Sequence, residues 1–256
     1  SGIPAAGQTV WWEHDGIPSD TWDTHTVAAG MSYVVDLACG DVTGDGATDI
    51  VAAMPGVDRV KLFVASAGSW IVRDVSPGGD NDPQSVQILD MDADGDLDIL
   101  TAVFYSDRVV WYENSDGEGG TWVQRMVNES LGNARNAVAS DLDGDGDPDV
   151  AASGYFSDTV AWYENRVIHR EIAHADPVTV RTELGGPRGV EVADVNRDGF
   201  SDMVIARWGD DTITVYLGLN VEGTLWLEQT LTSAFTDVRD VSDRKSTRLN
   251  SSHRLR

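Results

Sequence analysis

Asp141-Leu-Asp-Gly-Asp-Gly-Asp-Pro-Asp149, running straight into Val150-Ala-Ala152, is the stretch whose reading decides the fold. Acidic residues alternate with turn-forming ones, and an apolar run then begins without a linker. The same frame occurs three more times, as Asp41-Val-Thr-Gly-Asp-Gly-Ala-Thr-Asp49, Asp90-Met-Asp-Ala-Asp-Gly-Asp-Leu-Asp98 and Asp194-Val-Asn-Arg-Asp-Gly-Phe-Ser-Asp202. Successive loops start 49, 51 and 53 positions apart. Self-similarity at a nearly fixed period marks a repeat architecture. Ile50–Ala53, Ile99–Val103, Val150–Ala152 and Met203–Ala206 follow the loops. Such short Val, Ile and Ala runs read as strands buried on both faces.

Outward from these runs, each repeat offers three further strands. The next one is Arg59–Val64, Arg108–Glu113, Thr159–Glu164 and Thr212–Leu217, within which Val109-Val-Trp-Tyr-Glu-Asn114 nearly recurs as Val160-Ala-Trp-Tyr-Glu-Asn165. Another starts at Trp22, Trp70, Trp122 and Trp226, while the third repeat offers Val167–Ile172 instead and then a longer connection through Asp176 and Pro177. A last strand leads into each loop: Tyr33–Leu37, Ser85–Leu89, Asn136–Ser140 and Gly189–Ala193. Four strands per period, with no helical periodicity, predict an all-β protein whose four-stranded antiparallel sheets are the blades of a β-propeller. A sandwich would not require one acidic loop per period. The expected blades cover residues 31–79, 80–130, 131–182 and 183–235 of a propeller segment at 8–242. Val10-Trp-Trp-Glu-His14 repeats a strand with no loop before it, and Val238-Arg-Asp-Val241 looks like the opening of another blade, so the propeller is expected to be incomplete at both ends.

The loop pattern is Asp-x-Asp/Asn/Thr-x-Asp-Gly-x-x-Asp. Oxygens at positions 1, 3 and 5 can converge on one hard cation, and the Gly permits the sharp turn. The carbonyl at position 7 can add a ligand, and the Asp at position 9 can bind through one or two oxygens. The candidate ligands are Asp41, Thr43, Asp45 and Asp49; Asp90, Asp92, Asp94, Asp96 and Asp98; Asp141, Asp143, Asp145, Asp147 and Asp149; and Asp194, Asn196, Asp198, Phe200 and Asp202. Oxygen-only ligation favours calcium over zinc or copper, one ion per loop and up to four in all. The middle two loops are expected to bind most tightly, because Thr43 and Asn196 supply neutral oxygens in the outer two. An EF-hand needs a Glu at position 12 and flanking helices. Position 12 here is Ala52, Thr101, Ala152 and Ile205, each inside a predicted strand, so that reading fails.

Acid dominates the composition, with 43 Asp and Glu against 18 Lys and Arg and a net charge of -25. Like-charge repulsion argues against nucleic acid and anionic membrane as partners. No apolar run reaches the about 18 residues of a membrane span. The single Cys39 excludes an internal disulfide framework and reads as a small buried hydrophobe. Residues 243–256 carry five basic residues and one acid after 242 residues that contain a single lysine, Lys61. Residues 243–253 resemble a translated sequencing adapter, and the tail is set aside from fold reasoning.

The loops, the Val/Ile/Ala strands after them and the Trp-Tyr-Glu-Asn strands resemble the FG-GAP/VCBS repeat family, whose blades are similar to those of the integrin α-subunit propeller. The resemblance covers roughly residues 8–242. It implies a seven-bladed parent, extracellular or cell-surface exposure, and calcium held in hairpins between strands.

The expected function is a non-catalytic scaffold for adhesion or ligand binding, stiffened by calcium. A protein or carbohydrate ligand is expected on the face opposite the metal loops, around Asp58-Arg59, Asp107-Arg108, Asp158 and Asp210, with Asp80–Pro83 and Gly185–Arg188 beside them. The alternative is the body or appendage of a secreted polysaccharide-degrading enzyme, which a fold cannot exclude. No catalytic constellation stands out: His14, His25, His169 and His174 have no metal spacing, and the paired carboxylates suit cation binding better than glycosidase chemistry. Most of the nine Trp recur at fixed repeat positions and read as core, whereas Trp208 departs from them and is placed at a rim. Asn128-Glu-Ser130 is a glycosylation sequon on a predicted loop.

Overall fold

Asp49–Met54, Asp98–Val103 and Asp149–Gly154 are buried at every position. A strand with no solvated face must be covered by a neighbour on each side, and this is what the rest of the chain supplies. The computed structural model describes residues 8–13, 23–29, 31, 33–166, 177–220, 225–232, 238, 240 and 241. For Gln8 and Trp12 the backbone alone is described.

Four antiparallel sheets of four strands stand in series. The first contains β3 (Asp36–Gly40), β4 (Asp49–Met54), β5 (Arg59–Ser66) and β6 (Ser69–Asp74). The second contains β7 (Pro83–Leu89), β8 (Asp98–Val103), β9 (Arg108–Asn114) and β10 (Trp122–Asn128). The third contains β11 (Ala134–Ser140), β12 (Asp149–Gly154), β13 (Thr159–Tyr163) and β14 (Val178–Arg181). The fourth contains β15 (Pro187–Ala193), β16 (Asp202–Arg207), β17 (Thr212–Gly218) and β18 (Trp226–Thr232). Strand order within each sheet follows chain order, so every sheet is a meander. Ahead of them β1 (Gln8–Glu13) and β2 (Asp23–Ala29) form a two-stranded sheet.

The third sheet corrects one expectation. Its outermost strand is Val178–Arg181, with Val160 opposite Arg181 and Trp162 opposite Val178. The sequence reading treated that segment as connection and offered Val167–Ile172, which lies outside the described residues, as do Trp22, Asp176 and residues 242–256.

Side-chain alternation explains the burial. Successive residues of a strand point to opposite faces, and here the two faces feed different cores. Ile50 and Ala52 pack towards Val27 and Met31, whereas Val51 and Ala53 join Val86 and Ile99. Leu100 and Ala102 meet Ala137 and Val150, while Ala151 meets Val190, Met203 and Ile205. Each core is thus a seam between consecutive sheets. Tyr112, Tyr163 and Tyr216 occupy the same repeat place and are all buried there. The recurring Trp111 and Trp162 are buried too, at 2% exposure each, in keeping with core packing. Beyond the fourth sheet, Val238 and Val241 are buried against Ala206. Asp240 stands where Asp36 stands in the first repeat, and in both residues the carboxylate Oδ1 accepts the N–H of the residue after it.

Polar groups tie the seams. The innermost strands carry Asp36, Ser85 and Asn136 at one repeat position, and their side-chain oxygens accept N–H groups of the next sheet's innermost strand. Val86 donates to Asp36 Oδ2 at 2.8 Å, Ala137 to Ser85 Oγ at 3.2 Å and Val190 to Asn136 Oδ1 at 3.4 Å.

Candidate functional site

Each acidic loop is wound up by its own carboxylates. The position 1 Asp accepts the N–H groups of positions 5 and 6: Asp45 and Gly46 donate to Asp41, Asp94 and Gly95 to Asp90, and Asp198 and Gly199 to Asp194. In the third loop Gly144 donates to Asp141 instead, at 2.7 Å. The position 5 Asp takes the N–H of position 7, so Phe200 donates to Asp198 at 2.9 Å, just as Asp96 donates to Asp94 and Asp147 to Asp145. Position 6 is always Gly because φ is positive there, at 88°, 101°, 100° and 92° in the four loops.

Position 9 does two jobs. Asp49, Asp98, Asp149 and Asp202 are buried, with 0–1% exposure. In each, Oδ2 accepts the N–H of position 2 (Val42, Met91, Leu142 or Val195) at 2.8–3.1 Å. Oδ1 accepts the N–H at the end of the third strand of the sheet (Ala65, Asn114, Asn165 or Gly218) at 2.8–2.9 Å. The sequence reading cast this residue as a ligand alone. In Asp98 and Asp149 both oxygens already accept one backbone bond, which leaves the carboxylate its remaining lone pairs for a cation, whereas Oδ2 of Asp49 and of Asp202 accepts two.

In two loops three acids converge. One oxygen each from Asp90, Asp92 and Asp98 lie within 4.8 Å of one another, and so do those of Asp141, Asp143 and Asp149. Oxygens around one calcium stand about 2.3–2.6 Å from it and hence at most about 5 Å apart, so the spacing admits a single ion. Every donor is a hard oxygen, which fits calcium and not a thiolate- or imidazole-seeking metal. These are positions 1, 3 and 9. In the other two loops position 3 is Thr43 or Asn196, and among the described residues neither forms a three-acid group. Thr43 Oγ1 donates to Asp49 Oδ2 at 3.1 Å, and Asn196 Nδ2 donates to Asp198 Oδ2 at 2.7 Å. Asp94, Asp96, Asp145 and Asp147 stand outside the converging sets, and a cleft lined by Asp90, Asp141 and Asp147 separates the two middle loops.

Charge accumulates in these clusters. Burial pushes the carboxyl of Asp98 up to about 7 and that of Asp149 up to about 8, with the neighbouring acids adding to it. Asp92 and Asp143 are raised as well, first by burial and then by nearby carboxylates that include Glu113 and Glu164. Those two are the Glu of the repeated Trp-Tyr-Glu-Asn strands and are residues the sequence reading missed. Their recurrence just before the motif Asn was the available signal. Arg125 pairs with Glu113 at 2.7 Å and Arg166 with Glu164 at 2.9 Å.

The motif Asn explains itself in space. Asn114 Nδ2 donates to Val42 O at 3.0 Å and to Leu97 O at 3.3 Å, while Asn165 Nδ2 donates to Met91 O at 3.0 Å and to Pro148 O at 3.1 Å. Each Asn therefore clips its own acidic loop to the one before it. In the fourth loop Ser201 Oγ donates to Asp141 O of the third at 3.1 Å.

On the opposite face, Asp58, Asp107 and Asp158 sit at tight turns with φ of 51°, 55° and 50°. Their Oδ1 atoms accept the N–H of Asp82 at 3.1 Å, Asn133 at 2.6 Å and Gly186 at 2.7 Å, in each case across a seam. Asp210 pairs with Arg207 and accepts from Thr212, and Asp80 accepts the Tyr112 hydroxyl. Asp58, Asp107 and Asp158 therefore help to hold neighbouring sheets together, whereas the bonds of Asp210 stay within its own turn. Tyr105 at 64% exposure, Phe156 at 71% and Trp208 at 39% meet solvent on the same face.

Three comparisons bear on this architecture. A solved protein from Lactobacillus plantarum superposes with a TM-score of 0.56 at 11% identity, over 82% of this chain and 58% of that one. The chain thus spans somewhat more than half of that protein, and the likeness is one of propeller-like fold. The V. cholerae biofilm matrix protein Bap1 gives a TM-score of 0.47 at 19% identity, over 78% of this chain and 28% of that one. Virginiamycin B lyase from Staphylococcus aureus gives 0.48 at 12% identity, over 92% and 87%. No curated protein matches the sequence. The FG-GAP-like repeat matches three times, at residues 41–101, 90–152 and 141–205, each copy running from one acidic loop to the buried strand after the next. With 41–205 covered by successive copies in phase with its loops and sheets, the chain belongs to the FG-GAP-like repeat family.

Proposed function

We propose that this chain is a calcium-binding β-propeller segment of an extracellular or cell-surface protein, and that it serves as a non-catalytic scaffold for adhesion or ligand binding. The observation that carries the reading is the convergence of Asp90, Asp92 and Asp98, and of Asp141, Asp143 and Asp149, on points each sized for one hard cation. Carboxylates gathered this closely repel one another, and a divalent cation relieves that repulsion. The ion would also brace the seams, since in the two middle repeats position 9 ties the loop to the third strand of its own sheet and the motif Asn ties it to the loop before. The loops at Asp41 and Asp194 would bind more weakly through Thr43 and Asn196.

Extracellular calcium modules bind with dissociation constants of about 0.1–1 mM. At about 1 mM calcium, a 0.1 mM site adds roughly 1.4 kcal/mol to stability. Calorimetric titration of the full chain should show at least two sites and no preference for zinc. Asp92→Asn with Asp143→Asn should weaken the two tighter sites to the level of the outer loops while the melt in chelator holds or rises. Fewer than two sites in the parent chain, a zinc preference, or unchanged binding in the double variant would overturn the reading.

A further inference from the structure

A strip on the face opposite the acidic loops follows the repeat without being required by it. Phe104, Tyr155 and Trp208 each stand 14 residues after the first Asp of their loops. Arg135 and Arg188 each stand six residues before theirs. The first repeat has Pro55 and Val35 at these places, so the fold does not need a ring or a guanidinium there.

The groups form a continuous row across three sheets. Ring centroids lie 6.2 Å apart for Phe104 and Tyr155 and 6.0 Å apart for Tyr155 and Trp208. The Arg135 guanidinium sits 5.8 Å from the Phe104 centroid, and that of Arg188 sits 5.4 Å from Tyr155 and 4.7 Å from Trp208. Exposed Phe156 flanks the row, 5.0 Å from Tyr155. Arg188 Nε is buried with no hydrogen-bond partner among the described residues. Burial lowers the affinity of Arg135 for its proton, and the charge of Arg188 lowers it further. Arg135 already donates to Gln84 Oε1 and has the Asp82 carboxylate nearby, so Arg188, with its spare N–H, is the principal receptor for an anion. The fork of a guanidinium matches a carboxylate in particular.

We infer that the Phe104–Tyr155–Trp208 row with Arg135 and Arg188 is a docking platform for an acidic polysaccharide in which uronate rings alternate with neutral ones. This rests on the scaffold reading above and names its ligand. Aromatic faces pack against the apolar faces of pyranose rings, and open turn tips suit a chain lying across them. A neutral glycan leaves Arg188 Nε unmatched. An acidic peptide would engage the two guanidiniums but has no use for three ring faces in a row. With only two guanidiniums against a net charge of -25, the platform selects occasional carboxylates over a charge on every unit.

The probe is a hyaluronan oligosaccharide, titrated into the full chain at 1 mM calcium and physiological salt. Binding is expected, with Arg188→Gln weakening it at least about tenfold, the scale of a lost charge-assisted hydrogen bond. Arg188→Lys should weaken it as well, since it keeps the charge and loses the fork. It also keeps a packed stem, so it repeats the test should Arg188→Gln melt early. Trp208→Ala should weaken binding, and Lys61→Gln, on the first sheet and outside the row, should leave it unchanged. Equal binding of neutral dextran, tighter binding of polyglutamate or of a single-stranded oligonucleotide, or wild-type affinity in both Arg188 variants would overturn the inference. No hyaluronan binding by a chain that still binds calcium would overturn this inference alone, whereas loss of calcium binding overturns only the metal reading.

Discussion

Removing one buried amide should loosen two acidic loops at once. Asn165 has no solvent exposure, and its Nδ2 donates to Met91 O in the second loop and to Pro148 O in the third. Asn165→Ala leaves both carbonyls without that donor. A buried polar group left unsatisfied costs about 1–3 kcal/mol, so the pair should cost roughly 2–4 kcal/mol, allowing for partial relaxation. For a chain of this size each kcal/mol moves the melting temperature by about 2–4 °C, and a fall of about 4–16 °C is expected at saturating calcium. Asn165→Asp should be worse than Ala, because it sets a carboxylate oxygen against two carbonyl oxygens. Thermal melts of the three proteins, with calcium and with chelator, decide the matter. An Ala variant within about 2 °C of the parent, or an Asp variant no worse than Ala, would show that the clip contributes nothing.

Two further substitutions probe the loops. Thr43→Asp supplies the carboxylate that the first loop lacks at position 3, matching Asp92 and Asp143; calorimetry should show one more tight calcium site, and the melt in chelator should fall as like charges gather without an ion. An unchanged stoichiometry would count against the three-acid rule. Gly95→Ala places a Cβ at φ 101° with nothing within 4 Å, so its cost is backbone strain alone, about 1–2 kcal/mol; denaturant unfolding that shows no loss would refute the conformational reading of position 6.

The repeat, its four strands and its acidic loops could be read from the sequence because each rests on local pattern. Asp-rich turns, a Gly at position 6 and apolar runs need no partner to be recognised. The outer strand of the third sheet could not, because Val178–Arg181 is short, half-exposed and lies after a long connection, whereas Val167–Ile172 carries the stronger apolar signal. The second role of position 9 was also hidden, since its partners lie 7 residues before it and 16 after it. The bonds made by the acids on the opposite face were hidden for a similar reason. Asp58, Asp107 and Asp158 look like free surface charge in one dimension, and only the neighbouring sheet reveals the N–H each one accepts. Trp208, by contrast, announced itself by breaking a repeat position that Phe104 and Tyr155 fill.

Every joint between neighbouring sheets uses the same pair of repeat places: Asp36 with Val86, Ser85 with Ala137, Asn136 with Val190, and on the turn side Asp58 with Asp82, Asp107 with Asn133, Asp158 with Gly186. The joints are therefore interchangeable parts. A genetic rearrangement that excises or duplicates one whole period of 49–53 residues leaves a matched donor and acceptor at the new junction, wherever within the period the break falls. One that shifts the junction by even a few residues mismatches all of these contacts together. The natural unit of length variation in such a gene is the complete repeat, and in-frame recombination between copies is a mutation this protein is built to survive.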